Sequence, residues 1–93
     1  MTDLTDLTDL AEVTVRYWAA ARDAAGVAEE RLPAGTLSAA IATAAERHGP
    51  RLAEVLARCS FLIDEQPAGR RDPAMIALRA GSVVEALPPF AGG

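Results

Sequence analysis

The chain has 93 residues, 51% of them hydrophobic and 24% charged, a length that excludes a multidomain enzyme and a composition that excludes a disordered, fibrous or membrane-spanning chain. Its 13 acidic and 9 basic residues leave a formal charge of -4, and four of the acids (Asp3, Asp6, Asp9, Glu12) fall in the first 12 residues, so the remainder is balanced and offers no basic stripe to nucleic acid. Alanine supplies much of the apolar content and aromatics only 4%, so a core of small side chains and modest stability are expected.

The opening reads Thr-Asp-Leu three times over residues 2–10, and residues 1–11 are expected to form an acidic, flexible extension. From Glu12 the pattern changes. Val13, Val15 and Tyr17 alternate with Thr14, Arg16 and Trp18, the period-two signature of a strand with one buried face. Residues 19–25 are helix formers closed by Gly26, which stops a helix of one or two turns. A second strand is expected over residues 28–32, before Pro33-Ala34-Gly35 turns the chain. Thr36 then precedes a longer helix over residues 37–47, in which Leu37, Ala40, Ile41, Ala44 and Ala45 share one apolar face. Gly49-Pro50 ends it, and Leu52, Val55 and Leu56 mark a further short helix up to about Arg58.

The apolar run at residues 59–63 reads as a buried strand, and residues 64–73, with two prolines, a glycine and the pair Arg70-Arg71, as a loop. A short strand is expected over residues 75–78. The last covers residues 83–87, with Val84 and Ala86 facing one way and Val83, Glu85 and Leu87 the other. This order of elements packs most economically as a small mixed sheet wrapped around the helix that begins at Leu37. The expected fold is therefore α+β, with the topology of a ubiquitin-like β-grasp.

The chemically distinctive stretch is the end, Leu87-Pro88-Pro89-Phe90-Ala91-Gly92-Gly93. Two prolines favour an extended, stiff stalk, and Phe90 is suited to anchor it. Beyond Phe90 the side chains shrink to a methyl group and then to hydrogen, giving a thread that fits a tunnel too narrow for other residues. The candidate reacting group is the carboxylate of Gly93. A terminal carboxyl with a reference pKa of about 3.3–3.7 is an anion at neutral pH and a poor electrophile, so acyl chemistry there requires activation from outside.

These residues, Pro88-Pro89-Phe90-Ala91-Gly92-Gly93, taken with Tyr17-Trp18-Ala19 followed by Arg22-Asp23 and Gly26, resemble the MoaD/ThiS sulfur-carrier family, and within it most the branch that forms the small subunit of molybdopterin synthase. The likeness runs from about Glu12 to Gly93. It implies a β-grasp carrier domain over residues 12–93 whose extended tail, residues 88–93, inserts into its partners. An E1-like adenylating enzyme would use ATP to adenylate Gly93, and a sulfur-transfer protein would supply the sulfur of a thiocarboxylate. The large subunit of molybdopterin synthase would then take up the tail, and the sulfur would enter the molybdopterin dithiolene. The carrier would bind no cofactor and contribute no catalytic side chain. Two alternatives stay open: a sister carrier for thiamine thiazole or cysteine synthesis, and a ubiquitin-like adaptor whose tail is never activated. The chain departs from the family in reading Arg79-Ala80-Gly81-Ser82-Val83 where an acidic turn is usual, and in a longer loop at residues 64–73.

Outside the tail, Trp18 and Leu87 share strand faces with Arg16 and Glu85, and adjoining strands would set them together as a partner-binding patch at the root of the tail. Arg16, Arg70 and Arg71 read as solvated surface charges. Cys59 reads as a small buried hydrophobe rather than a persulfide relay, and His48 as a cation suited to a helix C-terminus. With one cysteine and one histidine, neither an internal disulfide nor a His/Cys metal site is expected. Lysine is absent, so no side-chain amine can form a Schiff base or accept an acyl group. No signal-peptide pattern opens the chain and no apolar run approaches a membrane span, so a cytoplasmic protein without a membrane partner is expected.

Overall fold

A computed structural model describes residues 12–89; the Thr-Asp-Leu repeat and Phe90 to Gly93 lie outside the described residues. Strand β1 (Glu12–Tyr17) forms where the alternation begins, and its inward residues Val13, Val15 and Tyr17 are buried. Helix α1 (Ala19–Ala25) ends at Gly26, whose φ of 81° lies in the left-handed region that glycine enters without a Cβ penalty, and whose N–H donates to the Arg22 carbonyl at 2.8 Å. Strand β2 (Glu29–Pro33) returns antiparallel to β1.

Helix α2 (Leu37–His48) begins at Thr36, whose hydroxyl oxygen accepts the Ala39 N–H at 3.1 Å and so satisfies one of the free donors of the first turn. Pro50, which needs no N–H partner in a first turn, opens α3 (Pro50–Leu56). Strands β3 (Ser60–Ile63) and β4 (Gln66–Pro67), a 3-10 turn (Pro73–Met75) and β5 (Val83–Leu87) complete the chain.

The sheet order is β2-β1-β5-β3-β4, with β1 and β5 parallel at its centre and the other neighbours antiparallel. Parallel neighbours need a long crossover, and everything between β1 and β5 supplies it. Val15, Phe61 and Val84 of the sheet meet Ala40, Ala44 and Leu56 of the helices, leaving a void of only about 10 Å³ between them. Among the described residues seven of the seventeen buried hydrophobics are alanines, as the composition implies, and such small side chains let helix and sheet approach closely. The mixed sheet wrapped on α2 is the expected α+β arrangement. No described helix is long and apolar enough to cross a membrane.

Two local expectations are corrected. Residues 75–78 form no strand: Asp72 caps the Pro73–Met75 turn by accepting the Ala74 N–H at 3.0 Å, and only Ala77 makes a bridge, to Thr36. Conversely, the segment read as loop contains β4, paired to β3 at Leu62↔Pro67 and Ile63↔Gln66 across a tight turn at Asp64 and Glu65.

Candidate functional site

The parallel register of β1 and β5 runs Arg16↔Glu85 and Tyr17↔Ala86, so the next step along both strands brings Trp18 beside Leu87. The Trp18 N–H continues the ladder by donating to the Ala86 carbonyl at 3.2 Å, although Trp18 is already the cap of α1. Its side chain lies on the outer face of the sheet, 47% exposed, and its indole Nε1–H donates to Glu85 Oε1 at 3.1 Å. Leu87 is half-buried on the same strand as Glu85. Arg16 is held by Glu29 of β2 at 3.3 Å, an exposed pair.

The tail leaves this corner between two helices. Pro88, half-buried, and Pro89, exposed, border a groove of about 210 Å³ together with Ala20 of α1 and Glu54, Val55 and Arg58 in and just after α3. Phe90, Ala91, Gly92 and Gly93 lie outside the described residues. Cys59 is half-buried, its thiol donates to the Val55 carbonyl at 3.3 Å, and burial pushes its pKa up to about 11. It is therefore a thiol at neutral pH, poorly suited to carry sulfur as a nucleophile. No described His, Cys, Asp and Glu side chains cluster as metal ligands.

A β1–α1 corner beside the root of a Gly-Gly tail defines the architecture, and the family model of ThiS matches residues 15–93. The chain belongs to the ThiS family. No curated protein matches it by sequence. Among solved structures, the small archaeal modifier protein 1 of Methanosarcina acetivorans superposes with a TM-score of 0.79 at 22% identity, covering 90% of this chain and 98% of that one. The putative molybdopterin converting factor subunit 1 of Pyrococcus furiosus gives 0.65 at 24% identity, over 86% and 99%. A complex of subunits 1 and 2 of the molybdopterin-converting factor of Helicobacter pylori gives 0.63 at 24%, over 88% and 99%. These likenesses establish the ubiquitin-like β-grasp fold, which carriers and modifiers share.

One polar cluster of this ThiS-family domain was not anticipated. Glu30 of β2 points inward, and its Oε2 accepts the Tyr17 hydroxyl at 2.5 Å and lies 2.6 Å from His48 Nε2. Arg47 donates to Glu30 Oε1 at 3.3 Å and to the Arg31 carbonyl at 2.9 Å. The group therefore ties β1, β2 and the end of α2 together, and His48 does more than face a helix dipole. Burial and then Glu30 hold the Tyr17 phenol far above its usual range. For Glu30 burial acts upward, but the hydrogen bonds from Tyr17, His48 and Arg47 outweigh it and hold the carboxyl below its ordinary value. The signal was present in the sequence: Glu30 shares its strand face with Leu32, and an inward carboxylate requires partners.

Proposed function

We propose that this chain is a cytoplasmic sulfur carrier whose terminal residue, Gly93, is adenylated and then thiocarboxylated, and that it serves as the small subunit of molybdopterin synthase. The observation that carries this reading is the tail itself: a Pro-Pro-Phe stalk followed by Ala-Gly-Gly, rooted at the corner of a ThiS-family domain. Attack of the Gly93 carboxylate on the α-phosphate of ATP would expel pyrophosphate and leave an acyl adenylate. A sulfur nucleophile, delivered by a sulfur-transfer protein, then displaces AMP. The domain supplies no acid or base to these steps, and its part is to present the thread. The large subunit would grip the Trp18–Leu87 corner and draw Pro88 to Gly93 inside. The likeness to subunit 1 in the two-subunit Helicobacter pylori complex supports that partner.

Incubation with an E1-like enzyme, ATP and a sulfur source should exchange one oxygen for sulfur at Gly93, read by intact and tandem mass spectrometry. One residue appended after Gly93 should abolish the exchange. An unchanged mass with every activating enzyme tried, or loading that tolerates the extension, would refute the carrier role. A second reading, a protein modifier, is favoured by the higher TM-score of the archaeal modifier, 0.79. In that case the same activation would yield isopeptides on other proteins, and the thiocarboxylate would not accumulate.

A further inference from the structure

We propose that the groove between α2 and the β3–β4 hairpin docks a short acidic segment of a partner protein, one that also carries bulky aliphatic side chains. This inference is independent of the carrier reading. The groove has a volume of about 550 Å³, and its floor is apolar, formed by Leu37 and Ile41 of α2, Leu56 of α3 and Phe61 of β3. Among the described residues the only charged ones along it are Arg70 and Arg71. Both are exposed, and neither pairs with a carboxylate among the described residues. Asp72, the next residue, is engaged elsewhere: its Oδ1 accepts the Ala74 N–H at 3.0 Å and caps the following turn.

Arg71 is oriented before any partner arrives. Its backbone N–H and its Nε both donate to the Ala68 carbonyl, at 3.3 and 3.1 Å, and its Nη2 donates to the Pro67 carbonyl at 3.3 Å. Both N–H groups of Nη1 are left for a carboxylate. In a chain of formal charge -4, two adjacent cations beside an apolar floor reverse the local sign. Such a rim selects carboxylates and rejects basic segments, while the floor rewards aliphatic area that a purely acidic segment lacks. The mode of binding follows from the same bonds. β4 is the last strand of the sheet, an edge of the kind that accepts an added strand. Pro67, however, has no N–H to give, and the carbonyls of Pro67 and Ala68 already accept from Arg71. The edge is therefore closed to a further ladder, and recognition falls to side chains. None of the residues lining this groove borders the one at Pro88 and Pro89, so a segment seated here leaves the groove at the root of the tail open.

The test pans the full chain against random dodecapeptides displayed on phage. Recovered sequences should combine two or more acidic residues with leucine, isoleucine, valine or phenylalanine. As free peptides they should shift the amide signals of Phe61, Ala68, Gly69 and Arg70 and leave those of Ala20 and Glu54 in place. Arg70→Glu should weaken their binding about tenfold or more, whereas Arg51→Glu, the same change of charge on α3 outside the groove, should weaken it less than about twofold. Panning that yields no shared acidic and aliphatic pattern, shifts centred elsewhere, or equal losses in the two variants overturns the proposal. So do shifts of the same amides when the chain alone is concentrated without peptide, which would assign the groove to a second copy.

Discussion

Tyr17 illustrates why a buried polar atom has to be read together with its partner. A phenol carried inward by strand alternation loses water on burial, and its hydroxyl recovers a hydrogen bond only because Glu30, which faces Val15 on the neighbouring strand, reaches it from β2. Glu30 in turn is tolerated as a carboxylate because Tyr17, His48 and Arg47 surround it. Its carboxyl is held below the ordinary value of 4.5 in the folded chain, so its contribution to stability is complete above that value and is lost as pH falls through the lower, folded one. Glu30→Gln should therefore unfold at lower denaturant concentration near neutral pH, and the gap from the parent should narrow as the medium is acidified below 4.5. Urea midpoints measured across that window check this. A constant gap would mean that Glu30 acts through packing alone and not through its charge.

Among the elements, those with long-range periodicity were legible and those made by special backbone were not. β1, α2 and β5 follow from alternation or from a helical stripe, and Thr36 and Gly26 announce their caps by residue type. The β3–β4 hairpin escaped because its turn residues, Asp64 and Glu65, have φ of 50° and 70°, where Asn-Gly is the usual signal. Asp64 is retained by a bond that composition does not reveal, its Oδ1 accepting the Val83 N–H at 2.9 Å. Glu65 makes no comparable side-chain bond among those described, and a side chain in this region costs about 1–2 kcal/mol. Glu65→Gly should accordingly raise the stability by up to about 1 kcal/mol after the added chain entropy is subtracted, or roughly 4–8 °C in thermal midpoint for a domain of this size. A lowered midpoint would refute strain at this turn. The corner of β1 and β5 was legible for a different reason: once two strands with similar mixed faces adjoin, Trp18 must fall beside Leu87. Trp18→Ala and Leu87→Ala should each weaken binding of the large synthase subunit by about tenfold or more, with the circular dichroism of the fold retained. Undiminished affinity in both would remove the corner from the interface, though not the tail.

On the scale of the whole molecule, the proposed carrier is a compact scaffold presenting a terminus that other proteins would make reactive, and the surface of that scaffold then matters for what it does not offer. All nine basic residues are arginines, which stay protonated and do not attack acyl groups, so no side-chain amine of this sequence competes for an activated Gly93. Self-conjugation through a side-chain isopeptide is closed to the parent by chemistry alone, whether it serves as a sulfur donor or as a modifier. Restoring one amine should open it. Arg51 is exposed at the start of α3, and Arg51→Lys leaves the charge and the helix intact. With an activating enzyme and ATP but no sulfur source, that variant should form a dimer whose isopeptide maps to position 51 by tandem mass spectrometry, whereas the parent forms none there. When sulfur is supplied, the variant should load as the parent does, since position 51 is remote in sequence from the tail and absent from the groove at its root. If the variant stays monomeric while its adenylate demonstrably forms, the terminus is shielded by the activating enzyme, and the absence of lysine protects nothing.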